Sequence, residues 1–163
     1  MPDHSYFMGF ARHAATQSKD RETKVGAALV TPSGRVCMTG YNGPPRGVED
    51  RPERLCRPNK YPWMSHAEQN IAAFAASEGV TTKGCTLYVT HAPCSNCARS
   101  IIQAGIVCVA IGDGATTTVE DDRAIMQTMF DEAGIEIVVG FANARPKSQG
   151  QMLHDFSRAV SLV

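Results

Sequence analysis

Short apolar runs of strand length alternate with longer segments of helical period along this chain, and that alternation limits its fold more than any other feature. Val25–Thr31 and Arg35–Tyr41 flank a Pro32-Ser33-Gly34 turn and predict a β-hairpin. Thr86–Thr90, Ile106–Ile111 and Ile135–Val139 predict three further strands. Between them run helical patterns over Ser65–Ser77, Ser95–Ala104 and Val119–Ala133, each followed by a closing glycine, with Ser65 standing where an N-cap is expected. An opening helix is predicted over Tyr6–Gln17, with Phe7, Phe10, Ala11 and Ala14 on one side, and a last one over Gln149–Ser161. Helices of crossover length join parallel strands and cover the faces of a sheet. The expected architecture is therefore α/β, a three-layer α/β/α sandwich with a mixed sheet of about five strands. A length of 163 residues suits one domain over 1–163.

One stretch breaks the alternation. Asn42–Trp63 holds five prolines and two glycines and has no clear period. So long an irregular segment within a compact domain is usually a binding loop or one that meets a partner.

The remaining composition narrows the function. No apolar run approaches the roughly 18 residues of a membrane span. The N-terminal segment is interrupted by His4, Arg12 and His13 and has no continuous apolar stretch of the kind a secretory signal needs. A cytoplasmic location is expected, with no membrane partner. Lys plus Arg and Asp plus Glu both number 16, so the formal net charge is zero. A chain that tracks a polynucleotide normally carries a basic excess, so a small-molecule substrate is the better expectation.

Six cysteines are present, and in a cytosolic chain of this size they are not expected to form a disulfide framework. Cys37, Cys85 and Cys108 lie in apolar segments and read as small buried hydrophobes. Cys94 and Cys97 differ. They sit in Pro93-Cys94-Ser95-Asn96-Cys97 at the start of a predicted helix, where a spacing of three turns both thiols the same way. Unpaired N–H groups at a helix N-terminus favour the thiolate that zinc requires. His66, in His66-Ala67-Glu68 at another helix start, offers a third, neutral ligand. Three protein ligands leave one tetrahedral position open, as in catalytic zinc sites. Glu68, two residues past His66, points elsewhere than the ligand and is placed to handle the proton of a zinc-activated water. Two other readings remain at this level: a redox Cys-x-x-Cys pair, and a structural zinc site completed by His91.

His-x-Glu followed by Pro-Cys-x-x-Cys is the signature of zinc-dependent deaminases. With Ser18-Lys19-Asp20, Thr23-Lys24-Val25-Gly26-Ala27, Gly40-Tyr41-Asn42-Gly43-Pro44, Lys60-Tyr61-Pro62-Trp63 and Ile101-Ile102-Gln103-Ala104-Gly105, the chain resembles the cytidine and deoxycytidylate deaminase family from about Ser18 to Gly140. The Gly-Tyr-Asn-Gly and Lys-Tyr-Pro segments point to its nucleotide branch. The resemblance implies zinc on His66, Cys94 and Cys97, and Glu68 as proton shuttle. It implies Asn42 against the sugar or base, and the backbone at Ala67 against the pyrimidine. It also implies hydrolytic deamination of a cytosine nucleotide by a homo-oligomer. The alternatives are a nucleoside, a free base, or tRNA adenosine. Lys24 is the expected substrate-binding cation, with Arg46, Arg51, Arg54, Arg57 and Lys60 as further candidates for a phosphate. Family members often carry an Asp-Lys-Tyr-like stretch after the fourth strand, whereas residues 112–118 here contain no aromatic and no base.

Overall fold

The computed structural model describes residues 3–114 and 120–140. The predicted helix over Gln149–Ser161, the start of the Val119 helix and most of the 112–118 stretch lie outside them. The chain runs α1 (His4–Ala15), β1 (Gly26–Val30), β2 (Val36–Tyr41), α2 (Ala67–Glu78), β3 (Thr86–His91), α3 (Ser95–Gln103), β4 (Cys108–Gly114), α4 (Glu120–Ala133) and β5 (Glu136–Val138). The five strands form one sheet in the order β2-β1-β3-β4-β5. β1 pairs antiparallel with both β2 and β3, while β3, β4 and β5 run parallel. The expected mixed, five-stranded α/β/α sandwich is therefore found.

Alternation along the strands sends successive side chains to opposite faces. Ala28, Val30, Tyr88 and Ala110 turn one way and meet Phe7, Met8 and Ala11 of α1. Ala27, Leu29, Leu87, Val89 and Val109 turn the other way, towards Ile71 of α2, Ile101 of α3 and Phe130 of α4. The latter cluster is the larger core. α1 packs almost without a gap: a Cβ at Gly26 would collide with the backbone of Ala11 and Ala15.

Two helix starts differ from expectation. α1 begins earlier, because the Asp3 carboxylate caps it by accepting from the N–H groups of Ser5 and Tyr6 at 3.0 and 3.2 Å. α2 begins one residue later, with His66 rather than Ser65 as its N-cap. The cause lies in Ser65, whose N–H and C=O both pair with Gly43 across an isolated antiparallel bridge and hold the residue extended. Gln69 then reaches back to accept from the His66 N–H at 3.0 Å. Gly79 ends the helix in the left-handed region at φ 67°. Cys85 and Cys108 are buried as expected, but Cys37 is exposed. It lies on β2, the edge strand, where the register with β1 slips between Leu29 and Val30. Among the described residues, no helix is long and apolar enough to cross a membrane.

Candidate metal centre and active site

The site lies where the start of β1 and the ends of β2 and β3 meet, beside the first turns of α2 and α3. His66 is the N-cap of α2, Cys94 the N-cap of α3, and Cys97 falls one turn further along α3. This places His66 Nδ1 3.3 Å from Cys97 Sγ and 3.6 Å from Cys94 Sγ. All three donor atoms lie within 4.8 Å of one another. A tetrahedral zinc with bonds of about 2.0 Å to nitrogen and 2.3 Å to sulfur needs neighbouring donors about 3.6 Å apart. The residues fit that ion.

Electrostatics agrees with the geometry. A hydrogen bond from the Cys97 thiol, aided by His66, pulls Cys94 down to about 4 against the effect of burial. Cys97, facing that thiolate and itself buried, is pushed up. The Cys94 thiolate opposes ionisation of Cys97, and a dication between them would stabilise both as thiolates. His66 is raised by the same sulfur, first through its hydrogen bond to Cys94. His91 does not join the cluster. Its Nδ1 is 2.9 Å from Thr90 Oγ1. Among the described residues, the group of donor atoms within 4.8 Å of one another comprises His66, Cys94 and Cys97, which does not support a structural site completed by His91.

Glu68 sits on the first turn of α2 with 4% of its surface exposed, and burial pushes its carboxyl above the usual range. It lines a cavity of about 130 Å³ together with His66, Cys94, His91, Asn42 and residues of the long loop. A buried acid/base group in the same cavity as a set of metal ligands suits hydrolysis at a metal-activated water.

The same cavity is also lined by a buried polar network that sequence reasoning did not find. The Asp20 carboxylate accepts from Lys60 Nζ at 3.0 and 2.7 Å, from the N–H groups of Glu22 and Thr23 at 2.8 and 3.0 Å, and from Asn42 Nδ2 at 3.3 Å. Burial opposes its charge, yet the hydrogen bonds from Lys60 and the backbone hold its pKa below the usual value. Asn42 Oδ1 accepts from the Val25 N–H at 2.8 Å, and Nδ2 donates to the Thr23 carbonyl at 2.9 Å. Asn42 thus lines the cavity and also ties the Asp20–Val25 segment to the end of β2. Ala67 opens α2 and is fully buried. Lys24 is not among the cavity-lining residues; its ammonium donates to the Ser18 carbonyl at 2.6 Å. A signal for the Asp20–Lys60 pair did exist, in a charged residue within each of two recognised segments, but partners 40 positions apart cannot be matched by periodicity.

A three-ligand zinc centre with a buried carboxylate beside it defines a hydrolytic zinc enzyme. Residues 1–113 match the cytidine and deoxycytidylate deaminase zinc-binding region, and the chain belongs to that family. It is similar to the deoxycytidylate deaminases of Homo sapiens and Pongo abelii, each 35% identical over 90% of this chain and 90% of the relative. It also resembles the crystal structure of dCMP deaminase from the cyanophage S-TIM5 in complex with dCMP and dUMP. That similarity has a TM-score of 0.67 and 27% identity, and covers 83% of this chain and 94% of the other. Zinc is the cofactor that His66, Cys94 and Cys97 are positioned to hold.

Proposed function

We propose that this chain acts as a single cytoplasmic deaminase domain over 1–163, hydrolysing dCMP to dUMP and ammonia. The observation that carries this reading is that Asn42 of the Gly-Tyr-Asn-Gly segment and Lys60-Tyr61 of the Lys-Tyr-Pro segment line the same cavity as Glu68 and the zinc ligands His66 and Cys94. Similarity to deoxycytidylate deaminases over 90% of the chain supports it.

Zinc held by His66, Cys94 and Cys97 would supply a water acidic enough to lose its proton near neutral pH. Glu68 would take one proton from the water and deliver it to the ring nitrogen while the water oxygen bonds to the amino-bearing carbon. It would then carry the second proton from that new hydroxyl to the amine, whose C–N bond breaks to release ammonia. Asn42 Oδ1 keeps a second lone pair, beyond the one used by Val25, for the sugar or base. The resemblance sets the backbone at Ala67 against the pyrimidine, but Ala67 is fully buried and does not line the cavity, whereas the neighbouring His66 and Glu68 do. Lys24 contributes through Ser18, whose hydroxyl donates to the Asn42 carbonyl at 2.8 Å. A homo-oligomer is part of the proposal, with the exposed aromatic residues Tyr61 and Trp63 of the long loop as its contact surface.

Ammonia release measured as kcat/KM on dCMP, deoxycytidine and cytosine tests the substrate. The expected preference for dCMP over deoxycytidine is about 10²-fold or more, the effect of two charge-assisted hydrogen bonds to the phosphate. Equal values, or a preference for the free base, would overturn the nucleotide reading and leave the zinc deaminase standing.

A further inference from the structure

A nucleotide bound with its base at the metal ligands would direct its phosphate away from them, and a cation lining the same cavity would decide between nucleotide and nucleoside. Six cations are candidates from the sequence, and the structure separates them by partner and place. Arg46 lies over the Phe74 ring and pairs with Glu78, Arg51 pairs with Glu49, and Arg54 lies over Trp63 at 4.0 Å. None of these three lines the cavity, and Lys24 does not either. Of the six, only Lys60 and Arg57 do.

These two differ in what they have left to give. The Lys60 side chain is 6% exposed, its ammonium held by both oxygens of Asp20 and, at 3.2 Å, by Glu22. Taking Lys60 away from Asp20 would leave a buried carboxylate without its counter-ion, which is strongly unfavourable. Arg57 is 38% exposed at its side chain. Its Nε donates to the Tyr61 hydroxyl at 2.9 Å and its Nη2 to Thr23 Oγ1 at 3.4 Å, which fixes the plane of the guanidinium. Among the described residues its carboxylate partner is Glu22, at 3.6 Å from Nη1, beyond normal hydrogen-bond distance. A guanidinium has five N–H donors in a planar fork suited to phosphate, and these contacts leave several unused.

On the reading of this site as a cytosine-nucleotide deaminase, we propose that Arg57 is the residue that binds the 5′-phosphate and so sets the preference for a nucleotide over a nucleoside. Tyr61 and Thr23 orient the guanidinium. Glu22 holds its free edge until a phosphate takes its place, and keeps Lys60 as partner afterwards. Lys60 and Asp20 are the support behind this wall and leave the substrate to Arg57.

The test is the ratio of kcat/KM for dCMP to that for deoxycytidine, measured in the wild-type protein, Arg57→Gln and Arg57→Lys, with zinc content as the check on folding. Arg57→Gln is expected to keep one zinc per chain and to lower the ratio by about 10–10²-fold, the effect of one to two charge-assisted hydrogen bonds. Arg57→Lys keeps the charge without the fork and is expected to fall between the two, which gives a second reading should the glutamine variant fold poorly. A wild-type preference that persists in both variants, or a loss equal on both substrates, would overturn the assignment of Arg57 alone. A wild-type protein that turns over deoxycytidine as readily as dCMP would overturn the nucleotide reading, and this assignment with it.

Discussion

Glu68 and the two cysteines stand within a few ångströms of one another and do separate work. On the proposed mechanism the thiolates hold the ion, whereas Glu68 moves protons and holds no metal. Glu68→Ala is therefore expected to keep stoichiometric zinc while turnover falls by about 10²–10⁴-fold, the usual contribution of a positioned acid/base group. Cys94→Ser should lose the metal itself. Metal analysis beside a turnover assay separates the two, and full zinc occupancy in the serine variant would remove Cys94 from the ligand set. Asp20 yields a prediction in pH. Its folded pKa lies below its ordinary value of 3.8, so its ionised form stabilises the native state above that value. The contribution is lost as pH falls through the depressed pKa. Acid unfolding of the wild-type protein should thus steepen below about pH 4. At neutral pH, Asp20→Ala is expected to be destabilised by about 3–5 kcal/mol, because Lys60 is left buried without its main partner. The double variant Asp20→Ala/Lys60→Met should recover part of that loss, and denaturant titrations in which it recovers nothing would count against the ion pair as the cause.

At the scale of elements, the strands and helices were legible because their patterns are local. Ala27 and Leu29, Leu87 and Val89, and Val109 and Ile111 alternate at period two, and Ile71 and Ala75 in α2 and Met126 and Phe130 in α4 recur at helical spacing. The zinc ligands were legible too, since each motif is short and begins a helix. What could not be read is long-range. The Gly43–Ser65 bridge moved the start of α2, and β1 turned out to run antiparallel to β3, a relation no single segment encodes. The close contact of α1 with β1 is equally invisible in the sequence, where Gly26 and Gly9 look alike. They should respond oppositely to substitution. Gly9 lies inside α1, and a methyl placed there would meet nothing within 4 Å, so Gly9→Ala should stabilise by about 0.5–1 kcal/mol. Gly26→Ala must push against the α1 backbone and should lower the thermal midpoint clearly. Equal shifts in the two would mean that α1 is not pressed onto the sheet as described.

For the molecule as a whole, the described surface is uneven. Tyr41, Tyr61 and Trp63 are exposed by 42, 61 and 40%, and they flank the ends of the long loop. Grouped aromatic exposure of this kind usually marks a contact surface. The proposed homo-oligomer should therefore appear in sedimentation at working concentration, and replacing Tyr61 and Trp63 by serine should shift it towards monomer. A wild-type monomer with full turnover would dismiss the idea.

The Gly43–Ser65 bridge has one more consequence. It brings the two ends of a long irregular excursion together within a single pair of backbone hydrogen bonds, directly before His66. Whatever length of chain lies between, the strand on one side and the metal-binding helix on the other start from the same fixed points. Lys60, Tyr61 and Arg57 all lie inside the excursion, while His66, Glu68, Cys94 and Cys97 lie outside it. On the proposed assignments, the groups that carry the reaction lie outside the excursion and the phosphate-binding Arg57 lies inside it. A loop of another length or composition, grafted between these two residues, would keep the same hydrolytic apparatus and offer it a different guest.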